Sequence, residues 1–144
     1  MKSYKLFLIL ILFVFTKVSV GQSPENWTSK QLMQPADLAT TINTGKNIPT
    51  IISVGPAALI PGSISIGMTK NQANVDKLKK QLAILPKTSN VVIYCGCCPF
   101  EHCPNVRPAI TALKELKFKN YYLLNLPRNI KADWIDKGYP TVKN

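Results

Sequence analysis

The chain has 144 residues, 46% of them hydrophobic and 17% charged, with a formal net charge of +11. It contains no internal repeats and no low-complexity segment, and its length suits one domain with its own hydrophobic core. The basic balance points to small anions or anionic surfaces. Nucleic-acid binding is not expected, because the lysines are dispersed and the one dense run, Lys77 to Lys80, falls on an amphipathic helix whose charged face is solvated.

Lys2 and Lys5 precede an unbroken apolar run from Leu6 to Phe15, followed by the small-residue stretch Ser19-Val20-Gly21. That is a secretory signal pattern, and a run this short does not span a bilayer comfortably. Residues 1–21 are therefore expected to be a signal peptide cut after Gly21. No cysteine lies at the junction, which argues against a lipoprotein. The product is expected to be exported, periplasmic or secreted, with no stable membrane anchor after cleavage. It keeps fifteen basic against seven acidic residues, a balance of +8.

Residues 22–33 read as a flexible, polar lead-in, and residues 34–144 as the folded domain. The Asn26-Trp27-Thr28 sequon is too short a match to carry weight. Pro35 opens a helix that places Leu38 and Ile42 on one face and stops at Gly45. Thr50 to Val54 is a continuous apolar strand ending at Gly55-Pro56, and a second extended piece, Gly62 to Gly67, follows the Ile60-Pro61-Gly62 turn. Val75, Leu78, Leu82 and Leu85 form one helical stripe, capped by Asn74 and ended by Pro86.

Val91 to Tyr94 is the next apolar strand. The stretch that follows it, Cys95-Gly96-Cys97-Cys98-Pro99-Phe100-Glu101-His102-Cys103, holds all four cysteines and the only histidine. Asn105 then caps a helix with Ala109, Ala112, Leu113 and Leu116 inward, Tyr121 to Leu126 forms a buried strand, and Ala132 to Tyr139 closes with a helical turn ended by Gly138 and Pro140. Trp27, Trp134 and Tyr139 are expected to pack rather than to stack a substrate. Strands alternate with helices and are apolar throughout. The expected fold class is a single α/β domain, with a central parallel sheet and helices on both faces.

In such sheets ligands bind at the carboxyl ends of strands, which is where Cys95 falls. Backbone N–H groups of a curling loop and the N-terminus of the next helix would stabilise a thiolate there, and a thiolate can attack an electrophilic sulfur or hold an anion. Outside the cytosol a thiol must be protected, metal-bound, catalytic or oxidised. Two readings of the other cysteines stand side by side. Cys97, Cys98 and Cys103 either close a loop disulfide or act as resolving thiols, with Cys97 or Cys98 to Cys103 the better span and the vicinal Cys97–Cys98 pair strained. Alternatively Cys97, Cys98, Cys103 and His102 gather a soft ion such as Cu(I) or Zn(II), although the spacing matches no standard zinc module. Arg107 is either an anion clamp over the Cys95 pocket or a surface arginine at a helix start.

The order of these segments resembles a rhodanese domain over about Gln34 to Thr141. Ile60-Pro61-Gly62-Ser63 is similar to the family's turn between two strands, Val91 to Cys95 to the strand carrying its persulfide-forming cysteine, and Asp133-Trp134 with Gly138-Tyr139-Pro140 to its closing segment. The resemblance implies an exported sulfurtransferase of the thiosulfate type, or thiol-redox activity, working through a persulfide on Cys95. Loop backbone donors, that of Gly96 among them, and Arg107 would bind the substrate. The implied partners are a small sulfur-containing anion and a thiol acceptor, the protein being a monomer that needs no cofactor. The chain departs from the family's pattern at Ser53-Val54-Gly55, where an Asp-x-Arg is usual, at Leu59, where a histidine is usual, and in an enlarged loop of eleven residues between Cys95 and Arg107. The alternatives are a noncatalytic thiol-rich module for a soft metal or a protein partner, and an interaction domain whose cysteines are structural disulfides.

Overall fold

The computed structural model describes residues 27–142, so the expected signal peptide, its cleavage site and Asn26 lie outside the described residues. In chain order the elements are β1 (Leu32–Met33), α1 (Pro35–Thr44), β2 (Thr50–Ser53), β3 (Ile64–Ser65), α2 (Gln72–Ala83), β4 (Asn90–Tyr94), α3 (Val106–Glu115), β5 (Asn120–Leu124) and α4 (Ile130–Asp133). The strands form one five-stranded sheet in the order β1-β5-β4-β2-β3, every pairing parallel. No helix among the described residues is long and apolar enough to cross a membrane.

Apolar strands are buried on both faces because successive side chains alternate between two cores. Ile52, Val91, Ile93 and Leu123 point to the face covered by α2 and α3, with Leu78, Leu82, Val106, Ile110 and Leu113. Ile51, Val92, Tyr94 and Leu124 point to the face covered by α1 and α4, with Leu38, Ala39 and Trp134. Trp134 is fully buried; its indole N–H donates to the Pro140 carbonyl at 2.7 Å, and Tyr139 packs edge-on against its ring. Helix α1 keeps its expected bounds, with Pro35 in its first turn and Gly45 in the left-handed region at φ 67°.

One helix boundary differs from its expectation. Helix α2 begins a turn earlier than its apolar stripe indicates: the Asn71 carbonyl accepts the first helical bonds from Asn74 and Val75. Asn74 is therefore inside the helix, and its amide reaches back to the Met68 carbonyl at 2.9 Å. Within the lead-in, Ser29–Gln31 form a short 3-10 turn and Leu32–Met33 a short strand. Trp27 packs against the α2/α3 core, Thr28 and Gln31 bond one another around a short 3-10 turn, and Leu32–Met33 pair with Leu123 and Leu124 at the sheet edge. Two residues are too few to show a strand period, so only their pairing partner reveals them.

The end of β4 is fixed from below by Tyr94. Ile60 to Ser63 is a β-turn with Pro61 second and Gly62 third at φ 73°, closed by the Ser63 N–H on the Ile60 carbonyl at 3.1 Å. The Ser63 hydroxyl also donates to that carbonyl, at 2.6 Å, so the Tyr94 hydroxyl, 3.0 Å away, donates to Ser63 and accepts from the Ile60 N–H at 3.3 Å. A turn remote in sequence is thereby bolted under the residue that precedes Cys95. Tyr94→Phe leaves the buried Ile60 N–H without its acceptor and is expected to lower the unfolding free energy by about 1–3 kcal/mol. Urea unfolding of the two proteins checks it, and an unchanged midpoint would show that the bridge contributes nothing.

Candidate functional site

Cys95 follows β4, the central strand, directly. The Val54 N–H donates to the Tyr94 carbonyl at 2.9 Å and carries the β2–β4 pairing one residue beyond the regular strand. The alternation of the strand puts Cys95 in the α2/α3 core with Ile93, and its residue is only 5% exposed. Two glycines make that position possible. A Cβ on Gly55 would stand 1.9 Å from the Cys95 carbonyl oxygen and 3.1 Å from its Sγ, so the strand ends can meet only across a glycine. Gly96 lies at φ 84° and turns the chain back over Cys95, while its carbonyl accepts the Ile130 N–H at 2.9 Å.

The loop beyond Gly96 is anchored at both ends. Phe100 is buried and its N–H donates to the Leu126 carbonyl at 3.3 Å; a 3-10 turn over Phe100–His102 then brings Cys103 inward, to 1% exposure. Asn105 occupies the N-cap position of α3, yet its side chain makes no capping bond. It is 2% exposed and faces the opposite way: its carboxamide oxygen accepts the Lys70 N–H at 3.0 Å, and its Nδ2 donates to Cys95 Sγ at 3.3 Å. Its backbone carbonyl accepts the Thr69 hydroxyl. The capping expectation thus gives way to a stronger demand, because a buried amide must satisfy donor and acceptor together.

The four sulfur atoms all lie within 4.8 Å of one another. Cys95 Sγ is 3.2 Å from Cys97 Sγ, which is 3.3 Å from Cys98 Sγ, and all four cysteines are free thiols. Their settings differ. Cys95 and Cys103 are buried, Cys98 is half-buried and Cys97 is exposed. His102 is exposed on the 3-10 turn and stands outside the group of sulfurs. Arg107 lines a groove between α2 and α3 with Gln72, Lys79, Thr111 and Glu115, a groove that none of the cysteines lines.

Cys95, Cys97 and Cys103 hold their protons unequally. Cys95 is pulled down to about 5, first by a hydrogen bond from the Cys103 thiol; burial opposes this, and the Cys97 backbone N–H, the Cys97 thiol and the Asn105 amide add to the lowering. Cys97 is pushed up to about 12 by burial and then by its contacts with Cys95 and Cys98. Cys103 is pushed above the ordinary thiol range, chiefly because its proton serves Cys95. The arrangement is one thiolate surrounded by donors, three of them placed by the loop and one by the residue that starts α3. Such a sulfur is a nucleophile at neutral pH.

Comparison with known proteins bears on the fold. No family model and no curated protein matches the chain. Solved structures do match. The rhodanese-like domain of the Anabaena protein Alr3790, in solution, superposes with a TM-score of 0.55 at 17% identity, over 79% of this chain and 80% of that one. The crystal structure of the Alr3790 protein gives 0.54 at 19% identity, over 76% and 90% of the two chains. A full-length Lactobacillus plantarum protein gives 0.57 at 13% identity, over 79% and 88%. The fold is therefore rhodanese-like, as the order of the segments implies.

Gly55 and Asn105 are site residues that sequence reasoning alone did not assign. The only sequence signal for either is its residue type, a glycine ending an apolar strand and an asparagine preceding Val106-Arg107-Pro108, and both types have commoner explanations. Ultraviolet titration of the reduced protein is expected to show one thiolate forming with a midpoint near 5. Cys103→Ala removes the largest stabilising donor and is expected to move that midpoint up toward the ordinary thiol value of about 8.5. A midpoint unchanged by Cys103→Ala would show that the thiolate draws nothing from its buried neighbour.

Proposed function

We propose that the protein is an exported rhodanese-like sulfurtransferase in which Cys95 accepts a sulfane sulfur from a small anionic donor such as thiosulfate. The observation that carries this reading is the single thiolate-favouring sulfur at the carboxyl end of the central strand, surrounded by donors from Cys97, Cys103 and Asn105. The Cys95 thiolate attacks the outer sulfur of thiosulfate, a Cys95–sulfur bond forms, and the sulfur–sulfur bond of the donor breaks. Sulfite leaves with the bonding pair and Cys95 becomes a persulfide, whose outer sulfur then passes to a thiol acceptor. The donors that hold the thiolate also hold the persulfide anion, in the manner of an oxyanion site.

The other residues take distinct parts. Gly96 supplies the backbone turn over the sulfur; Arg107 lines the α2/α3 groove apart from the cysteines and is not an anion clamp in this reading, and the N-terminus of α3 supplies the positive field instead. The family's usual Asp-x-Arg is absent; Gly55 in its place gives Cys95 the close approach that a larger side chain would block. The domain works as a monomer, without cofactor or nucleic acid, and its basic balance favours an anionic donor.

A second reading, a noncatalytic module for Cu(I) or Zn(II), draws on the gathering of four sulfurs within 4.8 Å. One equivalent of soft metal in the protein as isolated would favour the module instead.

Sulfite release reports the first step whatever becomes of the persulfide. Mixing the reduced protein with excess thiosulfate, without an acceptor, is expected to release about one equivalent of sulfite per chain, and Cys95→Ser is expected to release none. Equal sulfite from the two proteins would rule out Cys95 as the acceptor.

A further inference from the structure

The transfer proposed above uses the Cys97 thiol only as one donor among several, yet it is the exposed one, held directly against the nucleophile. Cys97 is two residues from Cys95, which in a continued strand would leave their side chains on one face but two residues' rise apart. Here Gly96 in the left-handed region folds the chain so that the two Sγ atoms are 3.2 Å apart. A Cβ at position 96 would come within 2.9 Å of Ile130 Cβ, so Ile130 walls the turn on that side. Cys103 already supplies the buried donor, and Asn105 a second. The position of Cys97 has a further use only if its sulfur reacts with Cys95.

We propose that Cys97 is a resolving thiol, which converts the Cys95 persulfide into a Cys95–Cys97 disulfide and releases inorganic sulfide. This inference rests on the persulfide reading of Cys95 and adds an activity to it. The inner sulfur of the persulfide is Cys95 Sγ itself, the atom already within about 3–3.5 Å of Cys97, the separation from which attack proceeds without further approach. Cys97 Sγ bonds to Cys95 Sγ while the bond from Cys95 Sγ to the outer sulfur breaks. Cys97, whose thiol holds its proton in this cluster, becomes the attacking thiolate as that proton passes to the negatively charged outer sulfur, which then takes the bonding pair and leaves as hydrosulfide. The two cysteine sulfurs end as a disulfide, the outer sulfur is reduced, and no external oxidant is consumed. A dithiol reductant then regenerates the pair, and the exposure of Cys97 makes its sulfur the one such a reductant reaches. The site would in this way turn sulfane sulfur and thiol reducing power into sulfide, rather than hand the sulfur on intact.

The asymmetry among the other thiols fits this role. Cys103 is as close-packed as Cys95 and donates from the buried side, where no reductant reaches it. Cys98 touches Cys97 at 3.3 Å and is half-buried, a second thiol to which the new disulfide can shift by exchange.

The test follows reduced protein, freed of reductant and treated with a small excess of thiosulfate, by three readouts: sulfite, sulfide, and intact mass with disulfide mapping. The unaltered sequence is expected to yield one equivalent each of sulfite and sulfide and to finish two hydrogens lighter, with Cys95 joined to Cys97. Cys97→Ser is expected to release sulfite more slowly, because the Cys97 thiol no longer donates to Cys95, but to yield no sulfide and a chain heavier by one sulfur atom on Cys95. Cys97→Ala serves as a second variant at this exposed position and is likewise expected to yield the persulfide without sulfide. A persulfide that persists in the unaltered sequence without sulfide would overturn the inference and leave the persulfide reading intact. Sulfide release undiminished in both Cys97 variants would also overturn it. Absence of sulfite from every protein would instead remove the persulfide reading on which it rests.

Discussion

A charged sulfur at the buried end of the central strand is the constraint on which the rest of this structure depends. An anion that is almost wholly out of water must be met by donors, and each donor must be held by something that does not move. The chain meets this demand with short-range means. Gly96 turns the loop so that the Cys97 N–H faces back, the 3-10 turn lowers Cys103 into the core, and Asn105 forgoes its helix cap to reach the same atom. Gly55 is the counterpart on the neighbouring strand, a position emptied of side chain so that Cys95 fits.

The fold brings these parts together because it is parallel. Every strand ends on the same side of the sheet, so the Cys95 loop, the loop after β2 and the loop after β5 share one edge. Contacts among them are correspondingly dense: Val54 reaches Tyr94, Phe100 reaches Leu126, and Ile130 reaches Gly96. The enlarged loop is therefore not a loose insertion. It is tied down at Gly96, at Phe100 and at Asn105, and of its four cysteines only Cys97 is exposed between those ties.

Much of this was legible in the sequence. Continuous apolar strands alternating with striped helices identified the three-layer parallel fold, since few other architectures bury strands on both faces. The place of Cys95 at a strand end separated it from the other cysteines before any distance was known. What stayed hidden were long-range relations. Leu32–Met33 form a strand only because β5 lies beside them, and Asn74 lies inside α2, its amide reaching back to the Met68 carbonyl, rather than at its start. Asn105 illustrates the limit most sharply: its residue type and position predict a cap correctly by local rules, and a buried sulfur ten residues upstream overrides them.

The central claim is that Cys95, though the least accessible but one of four thiols, carries the charge. Alkylation by iodoacetamide at about pH 6, followed by peptide mapping, sets charge against exposure directly. The account predicts that Cys95 is modified first and that its rate is already flat between about pH 6 and pH 8. First modification of the exposed Cys97, at a rate rising steadily toward the ordinary thiol range, would contradict it.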